Sequence, residues 1–343
     1  MRVLQTARVL LLIVATLAGS VLGALAQGTP LVPAPAACAD GAATPVASAY
    51  PMTVTDDAGR SVTVAAEPQR IVTIAPSNTE IAFALGLGDR VVAVDPVSDY
   101  PPEATGKPRI GGYIDPNPEE LVAAKPDLVL VTAAAEGPLL DKLDSLGLTT
   151  VVVEPTNLDG VLASIDLVGA IAGVPEAAHA LTCEMAGRIA AVAAAVAGEP
   201  QPRVFLEYSP DLYTAGPGSF GDDLIRHAGG TNIAAGAATA WPQLSTEAVV
   251  AADPEVVLLG DGDAGTTPEQ IAARPGWSGV AAVRDGRVVL LDADLVARPG
   301  PRIVDGLEAM ARAIHPDKFP AAASTPVPAG EPATSPGATP PAA

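Results

Sequence analysis

The stretch from residue 70 to residue 131 alternates apolar runs with helix-like segments at the spacing of βαβ units. The apolar runs at 70–75, 91–94 and 128–131 each have the length of a strand. Parallel strands need long crossovers, and the helices that make those crossovers cover the sheet. The pattern therefore predicts an α/β fold with a mostly parallel sheet flanked by helices.

In parallel α/β sheets, ligands bind beyond the carboxyl ends of the strands. The segments that follow the predicted strands carry polar and aromatic side chains suited to such a site. We expect four of these residues to lie near a ligand: Ser77, Asn78, Tyr100 and Tyr113. Ser77 and Glu80 also match the S-x-x-E capping box, which predicts that they cap the first helix of the stretch.

An internal repeat indicates a second lobe of the same kind. Residues 119–130, EELVAAKPDLVL, match residues 247–258, EAVVAADPEVVL, without a gap. Each copy predicts a short helix, a proline and a buried strand. Glu119 and Glu247 occupy the same position near the start of the helix, where a carboxylate is favourable by ~0.3–1 kcal/mol through the helix dipole.

Composition shifts divide the chain into segments. The first residues combine Arg2 and Arg8 with an apolar run and an A-x-A site, which predicts a secretory signal. A long alanine-rich helix begins at Pro175 and is expected to be a rigid connector. The predicted segments are a signal peptide at 1–26, an Ala/Pro-rich disordered linker at 27–50, an N-terminal lobe with a β-hairpin at 51–157, a helical connector at 158–202, a C-terminal lobe at 203–316 and a Pro-rich disordered tail at 317–343.

The chain is strongly acidic, with a formal net charge of −20 at pH 7. Such a charge disfavours binding to nucleic acid or to an anionic membrane surface. It suits an exported protein in a periplasmic or other extracytoplasmic location, where a membrane anchor is also compatible with the sequence.

Several motifs in consistent order carry a family resemblance. The run from IVTIAPSNTEIAFALG to PEELVAAKPDLVLV is followed by RVFLEY, YTAGPGSFGDDLIRHAGGTNI, WPQLSTEAVVAADPEVVLL and RPGPRIVDGLE. Together these motifs resemble the substrate-binding proteins of ABC importers for cobalamin and ferric siderophores, most of all the cobalamin-binding branch. The resemblance covers roughly residues 52–316. It implies two lobes joined by one long rigid helix, the class III (helical-backbone metal-receptor-like) fold, with limited hinge motion.

The resemblance also implies functional residues and partners. The ligand is expected to be a cobalamin-like corrinoid, with a ferric siderophore or haem as the alternative, bound by a monomer that delivers it to an ABC permease dimer. Glu119 and Glu247 match the glutamates that dock into arginine pockets of the permease in this family. Six residues match positions that line the ligand cleft: Tyr100, Tyr113, Tyr208, Trp241, Asp294 and Arg298. Arg302 is assigned instead to a surface salt bridge.

The two cysteines, Cys38 and Cys183, leave three alternatives. Export permits a disulfide between them, which would tie the N-terminal arm to the long helix. Cys38 could instead carry a lipid, although Pro35-Ala36-Ala37 is a poor lipobox, or both thiols could be free.

Enzyme and metal motifs are weak in this sequence. Residues 216–221, GPGSFG, fit G-x-G-x-x-G, but Pro217 and the lack of an acidic partner about twenty residues later argue against a dinucleotide site. The sequence has no G-x-S-x-G or H-E-x-x-H motif, and its three histidines are dispersed. We therefore predict no catalytic residues and no intrinsic cofactor, with any cobalt or iron arriving inside the ligand. An enzyme on the same scaffold, a hydrolase or chelatase, is the alternative from a different class.

Overall fold

The computed structural model describes residues 38, 48–112, 115–132, 137–260 and 266–319. The predicted signal peptide at 1–26, most of the predicted linker and the tail beyond residue 319 lie outside these residues. None of the described helices is both long and apolar enough to cross a lipid bilayer.

The first half of the described chain forms a hairpin and a parallel sheet. Its elements are β1 (Met52–Thr55), β2 (Ser61–Val64), β3 (Ile71–Thr73), α1 (Pro76–Ala84), β4 (Val91–Val94), α2 (Pro118–Ala124), β5 (Leu128–Val131), α3 (Pro138–Ser145) and β6 (Thr150–Val152), with a 3₁₀ helix at Pro102–Gly106. β1 and β2 pair antiparallel, with Met52 opposite Val64. The sheet of this N-terminal lobe has the order β4-β3-β5-β6, and every pair in it is parallel.

Two helices follow, α4 (Leu158–Ile171) and α5 (Pro175–Val196), and they lead to the C-terminal lobe. The elements of that lobe are β7 (Arg203–Glu207), α6 (Phe220–His227), β8 (Thr231–Asn232), α7 (Thr246–Ala252), β9 (Val256–Leu259), α8 (Pro268–Ala272), α9 (Ala281–Arg284), β10 (Val288–Leu290), α10 (Ala293–Ala297) and α11 (Ile303–Ile314), with a 3₁₀ helix at Trp277–Gly279. Its sheet is also parallel, with the order β10-β9-β7-β8. The two-lobed α/β fold predicted from the sequence is therefore confirmed.

The lobes share one continuous apolar core. Ile165 of α4, Met185 of α5 and Leu307 of α11 belong to the same buried cluster, which includes residues of both sheets. Each sheet has a second, smaller core on its other face, and the C-terminal one contains the fully buried Trp277. Residues of helices α4, α5 and α11 therefore take part in the core that the two lobes share.

A disulfide joins Cys38 to Cys183 of α5, with 5.3 Å between the Cα atoms. Two hydrogen bonds hold the following segment against α4. Ser48 Oγ donates to the carbonyl of Ala170 at 2.6 Å, and Tyr50 Oη donates to the carbonyl of Ile171 at 2.9 Å. The chain ahead of β1 is therefore fixed to the connecting helices at three points.

A hydrogen bond to Asp223, which is also paired with His227, links the C-terminal lobe to the start of α4. Asp223 of α6 accepts a hydrogen bond from the backbone N–H of Leu158 at 2.9 Å and lies 3.4 Å from Nδ1 of His227. Burial lowers the pKa of His227, but its hydrogen bond to Asp223 and the attraction of that carboxylate outweigh burial, so the pKa lies above the ordinary 6.5. Burial raises the pKa of Asp223, but His227 and the Leu158 amide outweigh this effect and lower it overall.

These shifts predict how stability depends on pH. A raised histidine pKa stabilises the fold fully below the unfolded value and loses that stabilisation as pH rises through the folded value. Urea unfolding should therefore give a free energy of unfolding that decreases as pH rises from the ordinary histidine value of 6.5 through the raised pKa of His227. His227→Gln should flatten this dependence, whereas an unchanged slope would contradict the assignment. At the acid end, Asp223 should lose its contribution only as pH falls through its lowered pKa.

Candidate functional site

The described residues form a cleft between the two sheets. Two adjoining cavities of about 500 and 420 Å3 share Glu154, Ala297 and Pro299 in their linings. The lining includes the residues that follow β5, β6 and β7, namely Thr132, Glu154 and Tyr208. This location, beyond the carboxyl ends of parallel strands, is where α/β sheets bind ligands.

A third cavity, of about 720 Å3, lies beside the C-terminal half of α1. Its lining includes Phe83, Tyr100, Lys107 and Arg302 and shares no residue with the cleft. Although it is larger, it lies away from the strand ends. We therefore place the candidate site in the cleft.

The N-terminus of α1 forms one wall of the cleft. Pro76 is the first helical residue and the preceding Ala75 has a φ of 90°, so Ser77 lies inside the first turn and lines the cavity. The left-handed conformation of Ala75 is held by Asp95, whose Oδ2 accepts the Ala75 N–H at 2.9 Å. The predicted capping box is wrong, because Ser77 makes no cap and the carboxylate of Glu80 is hydrogen-bonded to Arg302.

Two aromatic rings form the opposite wall. The centroids of Tyr208 and Trp241 are 5.6 Å apart, with their planes at 56°. Trp241 is 59% exposed, and Tyr208 is partly buried. Burial raises the pKa of the Tyr208 hydroxyl, which keeps it protonated. An exposed indole supported by a second ring can stack against a flat ligand.

An ion-pair network lies beside the cleft and joins the lobes. Arg298, which lines the cleft, contacts Asp99 Oδ1 at 2.6 Å and Asp294 Oδ1 at 2.7 Å. Arg302 makes two hydrogen bonds to Glu80, at 2.6 and 3.0 Å, and its guanidinium lies 3.8 Å from the centroid of the Tyr100 ring. Arg302 is therefore a largely buried partner of Glu80 rather than the surface salt bridge predicted from the sequence.

The carboxylates of this network respond to their surroundings. The Arg298 hydrogen bond lowers the pKa of Asp99. Burial raises the pKa of Glu80 in spite of Arg302, and burial also raises the pKa of Asp294. Since both arginines are paired with carboxylates, the positive charge beside the cleft is largely neutralised.

The structure distributes the predicted ligand residues unevenly. Ser77, Tyr208, Trp241 and Arg298 line the cleft, and Asp294 is paired with Arg298. Tyr100 lines the outer cavity. Asn78 is fully buried and donates from Nδ2 to the Ile74 carbonyl at 3.0 Å. Tyr113 lies outside the described residues. Glu154, Phe220 and Pro299 also line the cleft. Phe220 and Pro299 lie within the family motifs quoted above, whereas Glu154 lies in no motif.

Glu119 and Glu247 occupy equivalent places in the two lobes. Each lies exposed in the first turn of a short helix, α2 or α7, whose N-cap is Asn117 or Ser245. Backbone and Ser245 hydrogen bonds lower the pKa of Glu247. The equivalence extends beyond the repeat, because Arg70 donates to the carbonyls at the end of α2 and Arg203 donates to those at the end of α7.

Across the described ranges, no His, Cys, Asp and Glu side chains are grouped as a metal site requires. His227 and His315 are hydrogen-bonded to backbone carbonyls, and His179 lies beside the Cys183 sulfur. None of the three lines either cavity of the cleft.

Comparison with known proteins agrees with this geometry. The profile of a family described as periplasmic binding protein matches residues 71–295. A Bacillus subtilis protein named as an uncharacterized ABC transporter substrate-binding lipoprotein, YvrC, is 34% identical over 79% of this chain and 87% of its own. A cobalamin-binding protein of Halobacterium salinarum is 35% identical over 78% and 75%, respectively.

The fold also matches a solved structure. The periplasmic heme-binding protein RhuT of Roseiflexus sp. RS-1 superposes with a TM-score of 0.65 at 30% identity, covering 73% of this chain and 99% of that one. These relatives are binding proteins, as the absence of catalytic motifs in the sequence predicts. The chain belongs to the periplasmic binding protein family.

Proposed function

We propose that the protein is the substrate-binding component of an ABC importer and that its cleft takes a cobalamin-like corrinoid. Two features of the cleft carry the ligand class. The indole of Trp241 is exposed, and the charge of Arg298 is neutralised by Asp99 and Asp294. A corrin is a large flat macrocycle with neutral amide side chains. Such a ring can stack on Trp241, while its amides exchange hydrogen bonds with Asp294 and Arg298.

The same features favour a corrinoid over haem. Haem carries carboxylates, which require cations, and Arg298 is committed to Asp99 and Asp294. Haem iron also requires an axial ligand such as histidine or a deprotonated tyrosine. The described lining contains no histidine, and burial keeps the Tyr208 hydroxyl protonated. Haem stays the second candidate because a haem-binding structure shares the fold.

Titration of the purified protein separates these ligands. We expect one-to-one binding of cyanocobalamin in the micromolar range or tighter, with weaker binding of haemin and of a ferric hydroxamate siderophore. Tight haemin binding without cobalamin binding would replace the ligand assignment. A preference for the siderophore would also replace the ligand assignment. It would indicate that a cationic side chain of the cleft leaves its carboxylate partners when the ligand binds.

Trp241→Ala is expected to weaken cyanocobalamin binding by about tenfold or more, because an exposed aromatic ring that a ligand covers typically contributes more than about 1 kcal/mol to binding. Calorimetry measures the change directly. Tyr213→Ala is the matched control, since Tyr213 is an exposed ring that lines neither cavity of the cleft. Equal affinities for the wild type and Trp241→Ala would contradict stacking on the indole.

Fluorescence provides a second readout of the same contact. The protein has two tryptophans: Trp241 is exposed at the cleft, and Trp277 is fully buried in the C-terminal lobe. A corrin absorbs light and should quench the nearer indole more strongly. Trp241→Phe should therefore remove most of the ligand-dependent quenching while retaining part of the affinity.

The importer role also proposes a location and a partner. The acidic chain and its predicted signal peptide support placement outside the cytoplasm. Glu119 and Glu247 are the proposed contacts to the permease, one from each lobe. Cell fractionation with antibody detection would test the location, and a purely cytoplasmic pool would contradict it.

A further inference from the structure

Glu80 lies at the centre of the network that joins the lobes. Its side chain is 2% exposed, and its carboxylate receives both hydrogen bonds from Arg302. Arg302 is in turn fixed by stacking on Tyr100, so its guanidinium has one well-defined position. A carboxylate buried to this degree requires a cation, and Arg302 supplies it.

A second guanidinium lies close to the same carboxylate. Arg298 Nη1 is 3.8 Å from Glu80 Oε1 but only 2.6 Å from Asp99 Oδ1. Two arginines thus share three carboxylates, and Arg298 can remain with Asp99 and Asp294 because Arg302 already satisfies Glu80. Without Arg302, the strongest demand for the charge of Arg298 would come from the buried Glu80.

We propose that Arg302 is a positioning residue for ligand binding: by occupying Glu80, it keeps Arg298 at the cleft wall, paired with Asp99 and Asp294. This inference rests on the proposed function, since Arg298 is a proposed ligand contact. Arg302 itself lines the outer cavity and not the cleft, so it acts through Arg298. The charge of Glu80 decides the position of Arg298 in this arrangement. Without Arg302, that charge would attract Arg298 away from Asp99 and Asp294.

The test compares Arg302→Met with the double variant Glu80→Gln/Arg302→Met, using cyanocobalamin and calorimetry. Arg302→Met should weaken binding by about tenfold, the order expected when one binding contact is displaced. The double variant should bind within about threefold of the wild type, since the buried charge that diverts Arg298 is gone. Arg302→Lys, which retains a cation beside Glu80, should also stay close to the wild type.

Two outcomes would overturn the proposal. Wild-type affinity in Arg302→Met would show that Arg298 does not depend on Arg302. Equal losses in the single and double variants would show that Arg302 contacts the ligand itself. If Arg302→Met fails to fold, the affinity of the double variant tests the proposal. A tenfold weaker affinity in the double variant would contradict positioning through Glu80, and an affinity within about threefold of the wild type would support it.

A matched control and a ligand-free readout complete the experiment. Arg188 pairs with Asp305 and Glu308 of α11, away from the cleft, so Arg188→Met should leave affinity unchanged. The NMR signal of the Arg298 Nε–Hε group in the ligand-free protein should shift in Arg302→Met and return in the double variant. If the wild type binds no cobalamin, the ligand assignment fails, and this signal still supports or overturns the positioning role.

Discussion

Replacing Arg274 by methionine is expected to destabilise the protein by about 3–5 kcal/mol, the usual effect of removing one partner of a buried ion pair. Glu207 is fully buried at the end of β7, and Arg274 donates to both of its carboxylate oxygens at 2.6 and 2.7 Å. The guanidinium also lies 5.0 Å from the centroid of the Trp277 ring. The substitution removes the two hydrogen bonds to Glu207 and the contact with the Trp277 ring, while the carboxylate of Glu207 stays inside the lobe.

Urea unfolding at neutral pH measures the loss. Arg284→Met is the control, because Arg284 is exposed and the expected effect of such a surface change is within about 0.5 kcal/mol. Glu207→Gln/Arg274→Met should recover part of the stability, since it removes the buried charge with its partner. If Arg274→Met lowered the free energy of unfolding by less than about 1 kcal/mol, the attraction between Arg274 and Glu207 would do little more than offset the cost of desolvating the two charges.

The strands of this fold can be predicted because a fully buried strand appears in the sequence as a short, uninterrupted apolar run. β5 (Leu128–Val131) and β9 (Val256–Leu259) are fully buried along their length, and both appear in the sequence as uninterrupted apolar runs followed or preceded by clear helix signals. The hairpin of β1 and β2 is predicted by the alternation of polar and apolar residues in the segment 52–64, MTVTDDAGRSVTV. Short elements such as α10 (Ala293–Ala297) carry no strong periodicity and were not predicted.

The start of α1 shows why local motifs can mislead. Pro76 is well suited to the first helical position, and the helix begins there rather than after a Ser77 cap. Glu80 would complete a capping box only if its carboxylate were free to turn back, but Arg302 binds it from 222 residues away in the sequence. A contact at that separation leaves no signal in a local pattern.

The sequence predicts only part of the candidate site, because some of its features depend on contacts between distant residues. Family motifs placed Trp241, Tyr208 and Arg298 near a ligand, and the structure brings all three to the cleft. Pro299, next to Arg298 in the last of these motifs, and Glu154, which lies in no motif, line it as well. Which charges remain available depends on pairing between the lobes, and composition alone gives no information about such pairing.

A variant with both Glu119→Arg and Glu247→Arg is expected to lose docking to its permease by at least about 100-fold, because like charges placed together at an interface cost several kcal/mol. The two carboxylates are exposed in equivalent first turns, one per lobe, and the pKa of Glu247 is lowered by backbone and Ser245 hydrogen bonds. Two exposed carboxylates in equivalent places can meet two arginine sites on a symmetric partner.

The measurement is binding to the cognate permease in lipid nanodiscs, together with calorimetry of cyanocobalamin. Ligand affinity should stay within about twofold of the wild type, since surface charges away from a site act weakly on it. Glu269→Arg is the matched control: Glu269 is also an exposed first-turn glutamate with a lowered pKa, but it lies outside the repeat. If Glu269→Arg weakened docking as much as the paired reversal, the permease would respond to overall negative charge. Loss confined to Glu119 and Glu247 would instead assign them as the paired contacts through which each lobe engages one half of the transporter.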